Sequence, residues 1–262
     1  MNSADLLLHY DNSQLWPQPT GIGIAQAYQK ALNVRSLRIA RGEQPRGYKI
    51  GFTNRSIWPR YNATAPIWGT VYDSTLSFCE GSSSLSLAGI CQPRIEPEAV
   101  LTLRATPPER CTLDELFNCV ESIASGFEIV QSHLKDWKFA LPDAVADGSL
   151  HARLVVGNKV AIHRIAHNAE DFCQLLAVCK VSLLCDAKHM DTGAGVSVLG
   201  DPLNALLHFV HEIQACPGAP TLQAGDVITT GTWTDAFPVS AQQTWKAKFD
   251  SPLSPLVLNF AA

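Results

Sequence analysis

The sequence predicts an α+β protein rather than one in which strands and helices alternate regularly. Segments rich in β-favouring residues dominate the middle and the end of the chain, and helical patterns lie irregularly among them. The repeated strand–helix units of a nucleotide-binding fold are missing from this pattern. A length of 262 residues suits one large domain, with or without an N-terminal extension.

Composition argues against several classes of protein. A formal charge of −4 gives no electrostatic footprint for nucleic acid or for an anionic membrane. The sequence contains no apolar run of about 18 residues, and its N-terminus lacks the pattern of a signal peptide. None of the eight cysteines forms a Cys-x-x-Cys pair, which favours reduced thiols in a cytosolic protein. We therefore expect a cytoplasmic protein that binds neither nucleic acid nor membranes.

Residues 1–47 predict a mostly helical lead-in to the main domain, residues 48–262. Glycines 21 and 23 indicate a loop that enters a helix, and a further helix is predicted over Val34–Arg41. The motif is a weak candidate for phosphate binding, because no strand precedes it and a third glycine is missing.

A short strand over Gly47–Thr53 follows the lead-in. Lys49 points away from its apolar neighbours in this strand, and solvation is the ordinary state of such a lysine. Residues 54–70 hold three aromatic residues and two prolines without clear periodicity. They indicate an ordered loop that could cover a site. We expect residues 132–151, which also lack a regular pattern, to help form the same pocket.

Two glutamates occupy a strand that is otherwise suited to burial. In the predicted strand from Arg94 to Leu103, side chains two residues apart point to the same face. Glu96 and Glu98 therefore share one face, where they repel each other and cost free energy to desolvate. A hard divalent cation would reverse that penalty. The alternative is a solvated edge strand, because an edge tolerates Pro97.

A third glutamate lies in a comparable setting. A capping box at Thr112 predicts a helix that runs to about Ala124. The strand Gly126–Gln131 follows, and in it Glu128 opposes two apolar neighbours. Beyond it, the dipeptide Gly157-Asn158 predicts the turn of a hairpin.

The remaining elements follow from caps and periodicity. They are a helix from Asn168 to about Lys180, a strand over Val181–Cys185, a loop over Gly193–Gly200, a helix that begins at Asp201-Pro202, a strand over Val227–Thr232 and further strands within 238–260.

The three glutamates supply an all-oxygen ligand set. Mg²⁺ and Mn²⁺ prefer such sets, which leave positions for water or substrate. A 2-oxo carboxylate chelates such an ion well, and the ion stabilises its enolate as a Lewis acid. Lys49 could then bind the substrate carboxylate or relay a proton. Two histidine pairs with metal-like spacing, at 163 and 167 and at 208 and 211, are interpreted as solvated side chains.

Several segments of the chain form a recognisable set. They are Lys49-Ile50-Gly51, Arg94-Ile95-Glu96-Pro97-Glu98, Glu128-Ile129-Val130, Ala146-Asp147, Val198 to Leu206, and Ala224 to Thr232. In this order, over about residues 47 to 240, they resemble the 2-oxopent-4-enoate hydratase and 4-oxalocrotonate decarboxylase group of the fumarylacetoacetate hydrolase superfamily.

The resemblance implies a mixed, rolled β-sheet with flanking helices, in which residues 48–262 are the catalytic domain. By the same resemblance Glu96, Glu98 and Glu128 would ligate Mg²⁺ or Mn²⁺, and Lys49 would lie beside a bound 2-oxo acid. Members assemble as dimers or larger homo-oligomers, and a hydratase and a decarboxylase of this family can work as a complex. The residues that we expect to bind the substrate together with Lys49 are Trp68, Asp73, Asp147 and Thr230.

The sequence departs from the family's hydratases at two places. Ile67 stands where they carry an aspartate, and Gly148-Ser149-Leu150 stands where they carry Asn-Ala-Ser. An acid and a serine are therefore lost near the reacting carbons. His151 could replace them as a catalytic base, because its ordinary pKa lies near neutral. The alternative is a histidine that only packs beside the loop.

The resemblance therefore predicts a metal-dependent lyase of the hydratase type, acting on 2-oxo or 2-hydroxydienoic acids in aromatic or related carbon catabolism. A hydrolase of acylpyruvates and a 4-oxalocrotonate decarboxylase are the nearest alternatives. The alternative from another class is a catalytically weak partner subunit of a hydratase–decarboxylase complex.

Overall fold

The computed structural model describes residues 1–261, which form two β-sheets and seven α-helices. The helices are α1 (Ser3–Asp11), α2 (Ile24–Ala40), α3 (Trp58–Tyr61), α4 (Leu113–Cys119), α5 (Leu141–Ala146), α6 (Ala169–Val178) and α7 (Pro202–Ala215). The strands are β1 (Pro45–Gly51), β2 (Ile67–Tyr72), β3 (Leu76–Phe78), β4 (Ser82–Leu85), β5 (Arg94–Leu103), β6 (Val120–Val130), β7 (His151–Ala161), β8 (Lys180–Cys185), β9 (Lys188–Ala194), β10 (Val227–Thr232), β11 (Phe237–Pro238), β12 (Thr244–Phe249) and β13 (Leu256–Phe260).

Both sheets mix parallel and antiparallel pairs. The larger sheet has the order β2-β1-β10-β5-β6-β7-β3, and β11 also pairs with β5. The smaller sheet has the order β4-β13-β12-β8-β9. Two strand pairs in the larger sheet are parallel, β1 with β10 and β3 with β7. One pair in the smaller sheet is parallel, β4 with β13. Together with the flanking helices, this arrangement confirms the predicted α+β fold.

One continuous core joins the two sheets to α4, α6 and α7. The apolar face of β5 contributes Ile95 and Leu101, and β6 contributes Ile123 and Phe127; all four are buried. A smaller apolar cluster joins α1, α2 and α5 to one end of the larger sheet. The main core therefore lies behind β5 and β6, and their other face carries the glutamates together with a small apolar cluster that includes Val100 and Ala124.

The strand that carries Glu96 and Glu98 lies in the middle of its sheet. β5 pairs with β10 on one side and with β6 on the other, antiparallel in both cases. The alternative of a solvated edge strand is therefore wrong, because both edges of β5 are occupied.

Two predicted elements are wrong because strand pairing overrides the local pattern. The helix that begins after Thr112 ends at Cys119 and not near Ala124, since the chain continues into β6 and pairs with β5. The chain does not turn at Gly157-Asn158, because β7 runs through both residues. Gly157 instead allows close approach to β6: a Cβ there would lie 2.9 Å from Ser125 Oγ.

The N-terminal half of the fold differs from the prediction in two further details. The two helices predicted before Gly42 are one continuous helix, α2. The segment 54–70 contains a 3₁₀ turn at Arg55–Ile57, the short helix α3 and the start of β2, so it is a partly regular segment rather than a loop.

A buried histidine links the N-terminal segment to the sheet. His133 Nδ1 lies 2.6 Å from Asp147 Oδ1, and the backbone N–H of His133 donates to Asp147 Oδ2 at 2.8 Å. The Trp16 ring stacks on the imidazole, with 6.1 Å between ring centroids, and the backbone N–H of Trp16 donates to the His133 carbonyl at 2.6 Å. Burial alone would lower the pKa of His133, but Asp147 raises it to about 10. His133 is therefore an imidazolium at neutral pH.

Replacing His133 with glutamine should lower the free energy of unfolding by about 3–5 kcal/mol, because Asp147 then remains buried without a cation. The folded-state pKa of about 10 lies above the unfolded value of about 6.5. The stabilisation is therefore complete below about pH 6.5 and is lost as the pH rises towards about 10. Denaturant unfolding across this range should show the loss in the wild type and a smaller one in H133Q. The exposed His167→Gln is the control, and an equal pH dependence in H133Q would contradict the prediction.

Candidate metal centre

Three carboxylates converge where β5 and β6 pair. Glu96 lies directly opposite Glu128 in the antiparallel register, and Glu98 follows one pleat later on the same face of β5. One oxygen from each of the three lies within 4.8 Å of the others. Glu98 and Glu128 are completely buried, and Glu96 is partly exposed. The structure therefore brings together the three side chains that the sequence singles out.

The two buried carboxylates each have one oxygen held by the protein and one left over. Glu98 Oε2 accepts a hydrogen bond from the Gly231 N–H at 2.7 Å, and Glu128 Oε1 faces His151 Nδ1 at 2.8 Å. Within residues 1–261, neither Glu98 Oε1 nor Glu128 Oε2 has a hydrogen-bond partner, although both are buried. Buried carboxylate oxygens without a partner are costly. They fit a hard divalent cation, whose preferred ligands are oxygens.

Gly231 is required at its position in this arrangement. Its φ is +97°, and a Cβ on it would lie 1.8 Å from Thr53 Oγ1. The register of β10 against β5 shifts at this point, which turns the Gly231 N–H towards Glu98. A side chain here would clash with Thr53 and displace the backbone N–H that fixes the Glu98 carboxylate.

A buried lysine completes the cluster. Lys49 Nζ lies 3.3 Å from Glu128 Oε2, and the side chain is only 4 % exposed. Burial alone would lower the pKa of Lys49, but Glu128, and after it Glu96 and Glu98, raise it above its ordinary value. The interpretation of Lys49 as a solvated side chain is therefore wrong.

The pKa values of the three carboxyl groups shift in different directions. Burial raises the pKa of Glu96 to about 7 and that of Glu98 well above its ordinary value, and in each case the charge of Glu128 adds to the rise. Burial alone would raise the pKa of Glu128 as well, but Lys49 and then His151 lower it. One lysine thus does not neutralise three carboxylates, and a divalent cation would supply the missing positive charge.

A cavity of about 420 Å³ opens onto the cluster. Lys49 and Glu96 line it, and both segments expected to form the pocket, 54–70 and 132–151, contribute to its walls. Its other lining residues include Phe52, Asn54, Ile57, Tyr61, Ile67, Val130, Trp137, Phe139, Ser149, Leu150, Asp191, Ser197 and Thr232 to Ala236. The volume suits a small organic ligand.

Two arginines in this cavity were missed by the sequence reasoning. Arg94 Cζ lies 4.3 Å from the centroid of the Trp137 ring, and Arg60 Cζ lies 5.3 Å from that of Tyr61. Arg94 takes part in no ion pair within residues 1–261. The sequence did contain a pattern that indicates Arg94: it stands two residues before Glu96 and so shares its face of the strand.

Five predicted site residues do not line this cavity. The Thr230 hydroxyl is buried and donates to the Ala99 carbonyl at 2.9 Å, and Asp73 is an exposed turn residue. Trp68 lies in the core against Tyr28, and Asp147 binds His133. The fifth, His151, is buried behind Glu128.

A larger groove lies elsewhere on the molecule. It measures about 960 Å³ and runs between α2, the segment 64–68 and α7. Its walls are mainly apolar. It does not include the cluster of Glu96, Glu98 and Glu128, which is the group within residues 1–261 that could hold a metal ion. The smaller cavity is therefore the better candidate for chemistry.

The chain is similar to known proteins over most of its length. The chain is 30% identical over 228 residues to a 2-keto-4-pentenoate hydratase of Burkholderia vietnamiensis, covering 87% of this chain and 82% of that protein. It is 29% identical over 223 residues to a 4-oxalocrotonate decarboxylase of a Pseudomonas species, covering 84% and 82%. No protein-family model matches the chain.

The fold has a near neighbour among solved structures. The 4-oxalocrotonate decarboxylase of Pseudomonas putida G7, solved in complex with magnesium and adipate, superimposes with a TM-score of 0.88 at 21% identity. The match covers 98% of this chain and 95% of that one. Within residues 1–261, no helix has both the length and the apolar character that crossing a membrane requires.

Replacing Glu98 with glutamine should abolish cation binding without destabilising the metal-free protein. The amide keeps an acceptor for the Gly231 N–H and removes one of three like charges. The wild type should gain about 2.7 kcal/mol of unfolding free energy when Mg²⁺ or Mn²⁺ is present at about a hundred times its Kd, and E98Q should gain none. Thermal unfolding with and without the cation measures both.

The exposed Glu121→Gln, also on β6, is the matched control and should respond to the cation as the wild type does. A wild-type protein whose unfolding is insensitive to both cations would show that the three carboxylates are not a metal centre.

Proposed function

The chain belongs to the 2-keto-4-pentenoate hydratase and 4-oxalocrotonate decarboxylase family of the fumarylacetoacetate hydrolase superfamily, and from this premise we propose that it is a divalent-metal-dependent hydro-lyase. Its substrates would be 2-hydroxydienoic acids and their 2-oxo forms, which arise in aromatic or related carbon catabolism. The observation that carries the proposal is a cluster of three carboxylates and a buried lysine, of which Glu96 and Lys49 line one cavity.

Glu96, Glu98 and Glu128 would hold Mg²⁺ or Mn²⁺. Such an ion, when bound, supplies a Lewis acid that polarises the 2-oxo group of the substrate. The two buried oxygens that make no hydrogen bond within residues 1–261, Glu98 Oε1 and Glu128 Oε2, support this assignment, because an all-carboxylate set suits these cations. Glu96 borders the cavity and so links the ligand set to the space that a substrate would fill.

Lys49 would bind the substrate and hold a proton beside it. Its Nζ lies 3.3 Å from Glu128 Oε2, and its side chain lines the cavity. An ammonium in this position can accept the substrate's carboxylate as an ion-pair partner. It can also donate a proton to a carbon on which negative charge develops.

We assign the remaining predicted residues a supporting part in the site. Asp147 and Trp68 would hold the N-terminal segment and the cavity wall in place, Thr230 would fix β10 against β5, and Asp73 would order a turn. Assembly into a homo-oligomer, or with a decarboxylase or hydratase partner, belongs to the same proposal. Sedimentation of the purified chain, alone and with the partner, tests it.

A second candidate function is decarboxylation of a vinylogous 2-oxo dicarboxylic acid. Two observations favour it: the cavity wall is apolar at Ile67 and Leu150, and the guanidinium of Arg94 has no ion-pair partner within residues 1–261. Loss of CO₂ needs no activated water, so an apolar wall does not hinder it. A free guanidinium suits a second carboxylate.

Product analysis separates the candidates. The Mg²⁺- or Mn²⁺-loaded protein would be given a 2-hydroxydienoate, a 2-oxo-enedioate and an acylpyruvate. Water addition retains all carbons, decarboxylation releases CO₂, and hydrolysis splits the carbon chain. Addition of water is the expected result, and chelation of the cation should abolish it. A cation-loaded protein that turns over none of the three would support a catalytically weak partner subunit instead.

Replacing Lys49 with methionine should lower kcat/KM by a factor of about 10²–10⁴, the range for loss of a positioned proton donor. The methionine retains most of the apolar stem but leaves Glu128 Oε2 without its ammonium. Steady-state kinetics on the best substrate measures the loss, and the exposed Lys248→Met on β12 is the control. Activity within about tenfold of the wild type would remove Lys49 from the reaction.

Replacing Arg94 with methionine should distinguish the two classes of substrate. If Arg94 binds a distal carboxylate, KM for a dicarboxylic substrate rises about 10- to 100-fold, since a charged hydrogen bond contributes about 1.5–3 kcal/mol. KM for a monocarboxylic substrate should not change. The exposed Arg104→Met, just after the end of β5, is the control. An equal rise for both substrates would assign Arg94 a general structural role.

A further inference from the structure

His151 faces Glu128 from the side away from the cavity. Its Nδ1 lies 2.8 Å from Glu128 Oε1, and its Nε2 lies 3.0 Å from the hydroxyl oxygen of Thr75. The imidazole is buried and borders a separate, small cavity of about 50 Å³ beneath the N-terminal helices. His151 is therefore not placed to touch a substrate in the cavity of about 420 Å³.

We propose that Thr75 and His151 form a hydrogen-bonded chain that positions Glu128 as a metal ligand. His151 is then a positioning residue and not a catalytic base. The inference rests on the proposed metal-dependent function, because Glu128 must be a ligand for its orientation to matter.

The directions of the hydrogen bonds follow from the groups involved. An ionised carboxylate only accepts, so Nδ1 of His151 must donate to Glu128 Oε1. In the neutral ring Nε2 is then an acceptor. The Thr75 hydroxyl lies 3.0 Å from Nε2 and 3.1 Å from the Tyr72 carbonyl, and it gives its single proton to Nε2, because otherwise two lone pairs would face each other. Thr75 thus selects the tautomer in which the N–H points at Glu128, as carbonyls and carboxylates do for histidines at other metal sites.

The turn that carries Thr75 is itself well anchored. The Thr75 N–H donates to the Tyr72 carbonyl at 2.9 Å, and the Thr75 carbonyl accepts from Leu154 N–H at 2.8 Å. Asp73 Oδ1 accepts from the backbone N–H groups of Gln44 and Ser74, at 3.0 and 2.9 Å. The turn between β2 and β3 therefore provides a fixed reference point for the imidazole.

The hydrogen bonds from Thr75 and His151 leave the second oxygen of Glu128 available to a cation. His151 holds Oε1, whereas Oε2 makes no hydrogen bond within residues 1–261 and has the Lys49 ammonium 3.3 Å away as its ion-pair partner. Glu98 shows the same division, with Oε2 held by Gly231 and Oε1 unpartnered. The protein thus fixes the rotation of both buried carboxylates while reserving one oxygen of each for a cation.

Mn²⁺ binding to the full chain, measured by electron paramagnetic resonance, tests the inference. Replacing His151 with alanine should weaken the Kd for Mn²⁺ by about 10- to 100-fold, the effect expected when a ligand loses its supporting hydrogen bond. H151N should largely recover the affinity, because its amide N–H can take the place of Nδ1–H. The exposed His163→Asn is the control and should bind as the wild type does.

Thr75 provides the second arm of the test. T75V removes the hydroxyl at nearly constant volume and should weaken Mn²⁺ binding, whereas T75S keeps the hydroxyl and should not. The effect of T75V should disappear in the H151A background, since Thr75 acts only through the imidazole. If H151A does not fold, the comparison of T75V with T75S decides, and equal affinities would overturn the inference.

Two other results have distinct meanings. An H151A protein that binds Mn²⁺ as tightly as the wild type but loses turnover would overturn the inference and return His151 to the role of a catalytic base. A wild-type protein that does not bind Mn²⁺ would instead overturn the proposed function, and the inference with it.

Discussion

Repulsion among three carboxylates on two paired strands is the constraint on which the rest of the structure depends. The antiparallel register places Glu96 directly opposite Glu128, and the pleat adds Glu98 to the same face. Such a cluster opposes folding through both desolvation and like-charge repulsion. The compensation present in residues 1–261 is specific but incomplete: an ammonium from β1, a backbone N–H from β10 and an imidazole from β7. The incompleteness is what makes the cluster fit a divalent cation.

Delivering the imidazole to Glu128 imposes strain on the chain just before β7. Gly148, Ser149 and Leu150 have φ values of +62°, +56° and +67°, and the last two are not glycines. Each such non-glycine residue costs on the order of 1 kcal/mol or more. The Ser149 hydroxyl donates to the Trp68 carbonyl at 2.6 Å, and the Leu150 carbonyl accepts from Gln131 N–H at 2.8 Å. These bonds hold the strained segment between β2 and β6, so that one wall of the cavity and the position of His151 are fixed together.

The parts of the site that follow a short-range rule could be predicted from the sequence, and the parts that depend on the fold could not. A period of two puts Glu96 and Glu98 on one face, and the same rule would have found Arg94. The burial of Lys49 depends on β1 lying between β2 and β10, which no local pattern reveals. Thr230 lies on a predicted strand, but its hydroxyl donates to the Ala99 carbonyl and does not reach the cavity. His151 lies on the side of Glu128 away from the cavity, which the sequence does not reveal. The helix predicted to reach Ala124 ended early because pairing with β5 outweighed a capping box, which is a local preference of about 1 kcal/mol.

The geometry also separates what the family's reactions share from what distinguishes them. Hydration and decarboxylation of these acids both place negative charge on the 2-oxo group, so both need the carboxylate cluster and its lysine. Only hydration needs a group that activates water above the substrate's carbon chain. The walls of this cavity include Ile67 and Leu150, and His151, which does not line it, is bonded to Glu128 and Thr75. A hydratase built on this chain has other groups in the cavity for its proton transfers, among them Lys49, Glu96 and Asp191. A decarboxylase also needs the cluster and a proton to complete the dienolate that remains after CO₂ leaves, but it needs no group that activates water. The choice between the two reactions therefore lies in the walls of the cavity, not in the metal centre.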